Sequence, residues 1–198
     1  MPRRYSLGKR AAQQAETRKR IVDAALAVYE EKGVSATTMQ DVARRADVAP
    51  GTVANHFGSA RALASVATSQ VLEELRMPTT DLFDGVEGIP ARIRLLVSEL
   101  AAFFHRSESW YRVAQREPGN PAWAEAEARY YVELDAMVRK ALGPLETDAD
   151  AVAVVSAVLT TWVIGAIQAA GHSTETAVRL VSDLLIAWLA TREGAASD

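Results

Sequence analysis

The chain has 198 residues, 49% of them hydrophobic and 24% charged, with a formal net charge of −3. This is a globular mixture, long enough to bury a real core in one or two domains, and it excludes a disordered chain. There is no cysteine, which removes disulfides, thiolate metal sites and cysteine nucleophiles and fits a reducing cytoplasm.

The net charge conceals a division. Residues 1–76 carry twelve Lys/Arg against eight Asp/Glu, and residues 77–198 ten against seventeen, so the two parts stand at +4 and −7. Most of the basic excess lies at the start, where Arg3, Arg4, Lys9, Arg10, Arg18, Lys19 and Arg20 face only Glu16. A basic end beside an acidic remainder suggests a polyanion partner at one end; a solvated tail has the same composition. The charged N-terminus leads into no apolar run, so no signal peptide is expected.

Past the basic arm, Ile21, Ala25, Val28 and Tyr29 form the stripe of an amphipathic helix that stops at Gly33, a natural residue just beyond a helix end. Thr38 and Asp41 have the spacing of a capping box opening a short second helix with Met39, Val42, Ala43 and Ala46. After Asp47-Val48-Ala49, Pro50 sits where the first residue of a third helix belongs, and that helix ends near Phe57. Gly58-Ser59 breaks it, and Ser59 caps a fourth helix from Ala60 to about Leu75. Pro78, Gly85, Gly88 and Pro90 then mark a boundary, giving domains at 1–76 and 77–198. Further helices are expected near 90–107, 109–117, 121–142, 148–170 and 174–192. The expected fold class is all-α, an N-terminal helix-turn-helix domain joined to a C-terminal helical domain.

Two short helices joined by a few residues form a helix-turn-helix, whose second helix enters the major groove. At about 100° per residue from Pro50, Val53 falls near 300° and Phe57 near 340°, which fixes the core side. Gly51, Thr52 and Asn55 lie opposite, flanked by Ala54 and His56, so the outward face is small, polar and uncharged. Such a face suits close approach to base edges, with Asn55 matched to adenine and Thr52 and Ala54 to thymine methyls. His56 and the first-turn N–H groups near Thr38 suit phosphates. A three-helix cap that binds no nucleic acid would use the same residues as ordinary surface and cap positions.

The run from Arg18 to Leu75 resembles the DNA-binding domain of TetR-type repressors. The resemblance is carried above all by Thr38-Met39-Gln40-Asp41-Val42-Ala43 and Val48-Ala49-Pro50-Gly51-Thr52-Val53-Ala54-Asn55-His56-Phe57. It covers about the first third of the chain, and the length and helical remainder are also similar. It implies a homodimer built on the last two long helices, a ligand cavity in the C-terminal domain and repression of a nearby gene. Carried onto this sequence, the DNA-binding positions are Thr38, Gln40, Pro50, Gly51, Thr52, Ala54, Asn55, His56 and Arg61. Four positions depart from the family pattern: Asp47 replaces the turn glycine, Ala49 a capping hydroxyl, Ala54 an aromatic, and Ala60 a lysine, leaving Arg61 as the nearest cation. The basic arm from Arg3 to Arg20 is therefore expected to contribute more than usual to DNA contact.

In the acidic part, Phe103, Phe104, Trp110, Tyr111, Trp123, Tyr130, Tyr131 and Trp162 supply aromatic surface. Much of it reads as core. The sharper expectation is an apolar cavity between helices, with Phe104, His105, Trp110, Tyr130 and Trp162 as ligand contacts and a small, mostly apolar effector. Ala151 to Gly171 runs without a formal charge for long enough to span a bilayer. Its alanines, Ser156, Thr160, Thr161 and Gln168, and the lack of a flanking Lys/Arg cluster favour a helix buried in an oligomer. Val178, Val181, Leu185 and Trp188 repeat on the following helix, so the helices near 148–170 and 174–192 form the expected homodimer face.

Enzyme chemistry has little support. No histidine has a glutamate three residues before it, as a di-metal bundle needs, and there is no G-x-S-x-G, Walker A lysine loop or G-x-G-x-x-G. No catalytic residue, metal or cofactor is expected, although His105 and Glu108 have the spacing of half a metal site. The leading expectation is a ligand-responsive transcriptional regulator binding a palindromic operator as a homodimer. The alternative is a helical module that works through a protein partner without specific DNA binding.

Overall fold

A computed structural model describes the backbone of residues 3–159 and 161–195 and the side chains of residues 8–159 and 163–192. It is all-α, with no strand among the described residues. The helices are α1 (Arg3–Lys32), α2 (Met39–Arg45), α3 (Pro50–Phe57), α4 (Ala60–Leu75), α5 (Ile89–Gln115), α6 (Pro121–Leu142), α7 (Ala149–Val158), α8 (Thr161–Ala169) and α9 (Thr174–Ala195). The chain forms two compact units, Met1–Glu74 with Glu108–Ala126, and Leu75–Ser107 with Glu127–Asp198. The N-terminal unit thus takes in a segment well beyond the expected 1–76.

In the first unit, α1 buries Ile21, Ala25, Val28 and Tyr29, the stripe read from the sequence, and Val22 beside it. It is longer than expected, because the basic arm from Arg3 onward forms its opening turns. Ala11, Ala12, Gln13, Gln14 and Ala15 are strong helix formers and extend the helix without burial. At the other end Gly33, at φ 87°, donates its N–H to the Tyr29 carbonyl at 2.8 Å.

The helix-turn-helix is closed by local hydrogen bonds. Thr38 accepts from the Asp41 N–H at 3.2 Å while the Asp41 carboxylate accepts from the Thr38 N–H at 3.0 Å, completing the expected capping box. α2 ends in a Schellman motif: the Val48 N–H reaches the Ala43 carbonyl at 3.0 Å and the Asp47 N–H reaches Arg44 at 3.4 Å. The left-handed position is Asp47, at φ 52°, where the short polar side chain stands in for glycine. Ala49 caps α3 without a side-chain hydrogen bond, and Pro50 supplies a preset φ at the first position.

A long-range clamp completes this unit. The Glu117 carboxylate accepts the backbone N–H groups of Val34 and Ser35 at 3.1 and 2.6 Å. Asn120 donates to the same carboxylate and to the Ser35 hydroxyl, both at 3.1 Å. Gly33 is required twice over, since a Cβ there would meet Glu117 Oε1 at 2.6 Å. Tyr29 lies beneath, and burial, with Glu117 adding, pushes its hydroxyl up to about 12.

The second unit has its own core, which includes Ile93, Leu96, Leu100, Met137, Leu142, Leu159, Leu185 and Leu189. Asp148 caps α7 by accepting from the Asp150 and Ala151 N–H groups, and Arg192 of α9 grips the same carboxylate at 2.9 Å.

Two expected helix boundaries are corrected. The helices expected at 90–107 and 109–117 are one, α5, because Ser107-Glu108-Ser109 contains no breaker and the Ser107 hydroxyl donates back to the Phe104 carbonyl at 3.2 Å. The single helix expected at 148–170 is two, α7 and α8, interrupted at Leu159, which leaves helical geometry at ψ 27°. The β-branched Val152, Val154, Val155 and Val158 weaken helix propensity just before that point.

The Glu117 clamp has a pH signature. Burial would raise the carboxyl, but the Ser35 and Val34 N–H groups outweigh it and hold it below its ordinary value of 4.5. A depressed folded-state pKa contributes stability that is complete above the ordinary carboxylate range and is lost as pH falls through the folded value. Thermal unfolding between pH 3 and 7 is therefore expected to show Glu117→Gln less stable than wild type at pH 7, with the two converging at acid pH. A constant difference across the range would contradict the clamp.

Candidate nucleic-acid interface

The outward face of α3 is built by what its other face must bury. Val53 is fully buried and Phe57 nearly so, which turns Gly51, Ala54 and Asn55 out as exposed residues, with Thr52 and His56 half-buried at the flanks. Pro50 is exposed at the head of the helix. The face read from the sequence is present with two positions exchanged, Ala54 being fully outward and Thr52 at the flank. Gln40 is exposed on the first turn of α2. Arg61 is exposed on the first turn of α4, whose Ala62 N–H is capped by the Ser59 hydroxyl at 3.1 Å.

Thr38 is more occupied than the sequence suggested. Its N–H and hydroxyl both donate to the Asp41 carboxylate, leaving the Met39 and Gln40 N–H groups as first-turn donors outside the capping box. The Lys32 ammonium, at 2.6 Å, and Thr38 together hold the Asp41 carboxyl well below the usual carboxylate range. That charge is neutralised within the unit and offers less repulsion to an approaching phosphate.

The basic arm, expected to contribute to DNA contact, is part of α1, and three of its cations are engaged within the protein. Arg18 donates to the His56 carbonyl at 3.1 Å, Arg20 to the Ala46 carbonyl at 3.1 Å, and Lys19 pairs with Asp23 at 2.7 Å. Lys9 and Arg10 are exposed on α1, and the side chains of Arg3 and Arg4 lie outside the described residues. Between α1 and α3 lies a notch of about 480 Å³ lined by Ala11, Gln14, Ala15, Arg18, Asn55 and His56.

The five expected ligand contacts do not come together. Phe104 and Tyr130 do, with ring centroids 6.3 Å apart, and Phe103 stacks on Tyr130 at the same distance in the second unit. His105, next to Phe104 in the sequence, is exposed on α5. Trp110 belongs to the first unit, where its ring lies 6.0 Å from that of Trp123. Trp162 lies on α8, but its side chain is outside the described residues. The large cleft in the first unit, about 860 Å³, is lined by Tyr29, Val34, Thr37, Arg61, Glu117 and Asn120 among others, and by none of these five. Among the described residues no group of three or more His, Asp or Glu side chains has a metal-binding arrangement.

Residues 21–67 match the family model for bacterial regulatory proteins of the tetR family. The HTH-type transcriptional regulator BetI of Burkholderia thailandensis is 27% identical over 94% of this chain and 98% of its own length. The HTH-type transcriptional repressor KstR of Mycobacterium tuberculosis is 31% identical, over 93% of this chain and 76% of its own. Among solved structures, the flavonoid-responsive regulator FrrA superposes with a TM-score of 0.64 at 20% identity, covering 90% of this chain and 97% of that one. The helix-turn-helix geometry and these matches together identify the chain as a member of the TetR family of DNA-binding bacterial transcriptional regulators.

Proposed function

We propose that the protein is a ligand-responsive repressor that binds a palindromic operator as a homodimer in the cytoplasm. The observation that carries this reading is the division of α3 into a buried Val53/Phe57 side and an exposed Gly51/Ala54/Asn55 side. The first-turn N–H groups beside Thr38, with Gln40, His56 and Arg61, are assigned to phosphates, Pro50 and Gly51 to close backbone approach, and Thr52, Ala54 and Asn55 to the groove. In a dimer, two such helices meet half-sites about 34–36 Å apart.

The dimer face is assigned to α7, α8 and α9. The segment Ala149–Ala169 is long and apolar enough to cross a membrane, and 33% of its most apolar window is buried within the protomer. On α9 the expected stripe turns inward, with Val181 and Leu185 buried in the protomer's own core and Val178 and Trp188 packed against it, while Leu180 and Leu184 are 39% and 61% exposed. A symmetry mate removes this surface from water and satisfies an apolar stretch in a protein whose work is on DNA. Leu184→Glu is therefore expected to yield monomers in analytical ultracentrifugation at micromolar concentration and to weaken operator binding. A dimer as tight as wild type would move the interface elsewhere.

The effector site is assigned to the second unit around Phe104 and Tyr130, with His105 at its edge; Trp162 remains a candidate and Trp110 is the weakest. Stacked aromatic rings at the edge of an apolar core favour a planar, mostly apolar ligand. FrrA is described as flavonoid-responsive, a ligand chemistry of that kind. Such a ligand shifts the protein off DNA only if it binds the non-operator conformation more tightly. In a screen of planar aromatic compounds against the preformed DNA complex, Tyr130→Ala should blunt release while leaving ligand-free DNA affinity unchanged. Full release from the variant would remove Tyr130 from the site.

DNA recognition is tested with duplex from upstream of the protein's own gene, at two salt concentrations. Tight, salt-sensitive binding is expected, and Asn55→Ala should lower affinity for the preferred site by about 1–3 kcal/mol while barely altering binding to scrambled duplex. Equal weakening on both duplexes would take base reading away from Asn55. Salt-insensitive or absent binding would favour the protein-partner reading.

A further inference from the structure

Two arginines of α1 stand two residues apart and reach the ends of two different helices. Arg18 donates to the carbonyl of His56, in the last turn of α3. Its guanidinium carbon also sits 4.3 Å from the centroid of the Phe57 ring. Arg20 donates to the carbonyl of Ala46, the C-cap of α2, at 3.1 Å, and to that of Asp47 in the turn at 3.4 Å. Each thus covers carbonyls at a helix C-terminus, where no intrahelical N–H is available and the helix dipole favours a cation.

We infer that Arg18 and Arg20 are positioning residues that fix the angle of the recognition helix, rather than ligands of DNA phosphates. The inference rests on the DNA-binding reading of α3. α2 and α3 are only seven and eight residues long, too short to hold their own geometry. α3 also lacks a side-chain cap at its start. Its position therefore depends on the Val53/Phe57 contacts and on what grips its last turn. Arg18 supplies that grip with one planar group that bonds the His56 carbonyl and lies over Phe57, the residue that seats α3 in the core. Lysine keeps the charge but has neither the flat face nor the fork. Arg18 also shares the wall of the α1–α3 notch with Asn55 and His56, so a shift of α3 there is a shift of the groove-facing residues. A misplacement of about 1 Å at a reading face is enough to lose precisely aimed contacts.

Phosphate ligands and positioning residues leave different signatures. A lost phosphate contact weakens all sequences alike and lowers the slope of log K against log salt by about 0.9. A lost strut lowers preference for the right sequence and leaves the slope nearly intact. The full-length protein would be used to select duplexes from a random library, and affinities for the selected and a scrambled duplex would be measured from 50 to 200 mM salt. Both Arg18→Gln and Arg18→Lys are expected to cut the selected-to-scrambled ratio about tenfold or more, the scale of one lost bidentate base contact, with the scrambled-duplex slope unchanged. Lys9→Gln serves as the opposite case, a lower slope with the ratio kept.

Hydrogen exchange without DNA gives a second reading. Arg18→Gln should speed exchange at the amides of the last turn of α3 and at Gly58, and Arg20→Gln at Asp47 and Val48, with the middle of α1 unchanged. An Arg18→Lys variant with wild-type ratio and exchange would overturn the inference. So would a reduced slope with an intact ratio in Arg18→Gln. Failure of the wild-type protein to select any sequence would instead remove the DNA reading, and the exchange data would then decide whether the arginines hold α3.

Discussion

One-sided burial of α3 is the constraint on which the interface depends. An eight-residue helix has almost no stability of its own, so its apolar side must be held by something else. α1 provides the scaffold: its stripe from Ile21 to Tyr29 is buried in the same unit as Val42, Ala43, Val53 and Phe57. Once Val53 and Phe57 are inside, helical geometry leaves Gly51, Ala54 and Asn55 outside. Everything the protein can read on DNA follows from that rotation. The capping box of α2, the Schellman turn at Asp47 and the arginines of α1 all limit how far α3 can tilt or turn about it.

The Glu117 clamp extends the same unit in an unexpected direction. Val34 and Ser35 present two adjacent N–H groups just after a left-handed glycine, a small concave site suited to an anion. A carboxylate from 82 or 83 residues away fills it. The loop between α1 and α2, next to the capped start of α2, is therefore tied to the turn between α5 and α6. That turn begins where a single long α5 ends, and the same helix contributes its earlier residues to the second unit.

Local chemistry was legible in the sequence where neighbours within a few residues decide it. The Thr38/Asp41 box, Pro50 at the first position of α3, Ser59 before α4 and Gly33 after α1 all follow from spacing and residue type, while Asp47 in a left-handed turn follows from the family resemblance. The buried stripe of α1 and the outward face of α3 follow from helical period alone. What escaped depends on partners distant in sequence. Glu117 reads as one of many surface carboxylates until Gly33 and Val34 are beside it. Arg18 and Arg20 look like part of a charge run, although the carbonyls they cover lie 38 and 26 residues away. The aromatic residues of the acidic part have composition but no short-range code, so Trp110 and Phe104, six positions apart on one helix, were grouped although they belong to different units. The split between α7 and α8 was hidden because β-branched residues weaken a helix without marking where it ends.

The central claim is that the exposed side of α3, held in place by α1, is the surface that meets DNA. Its most direct test is a residue-resolved map of the contact, obtained by following backbone amide resonances of the full-length protein as duplex is added at low and at physiological salt. The account predicts perturbations concentrated at Met39 and Gln40, at Gly51 to His56 and at Arg61, fading as salt rises. Perturbations confined to residues of the second unit, or none at either salt, would contradict it.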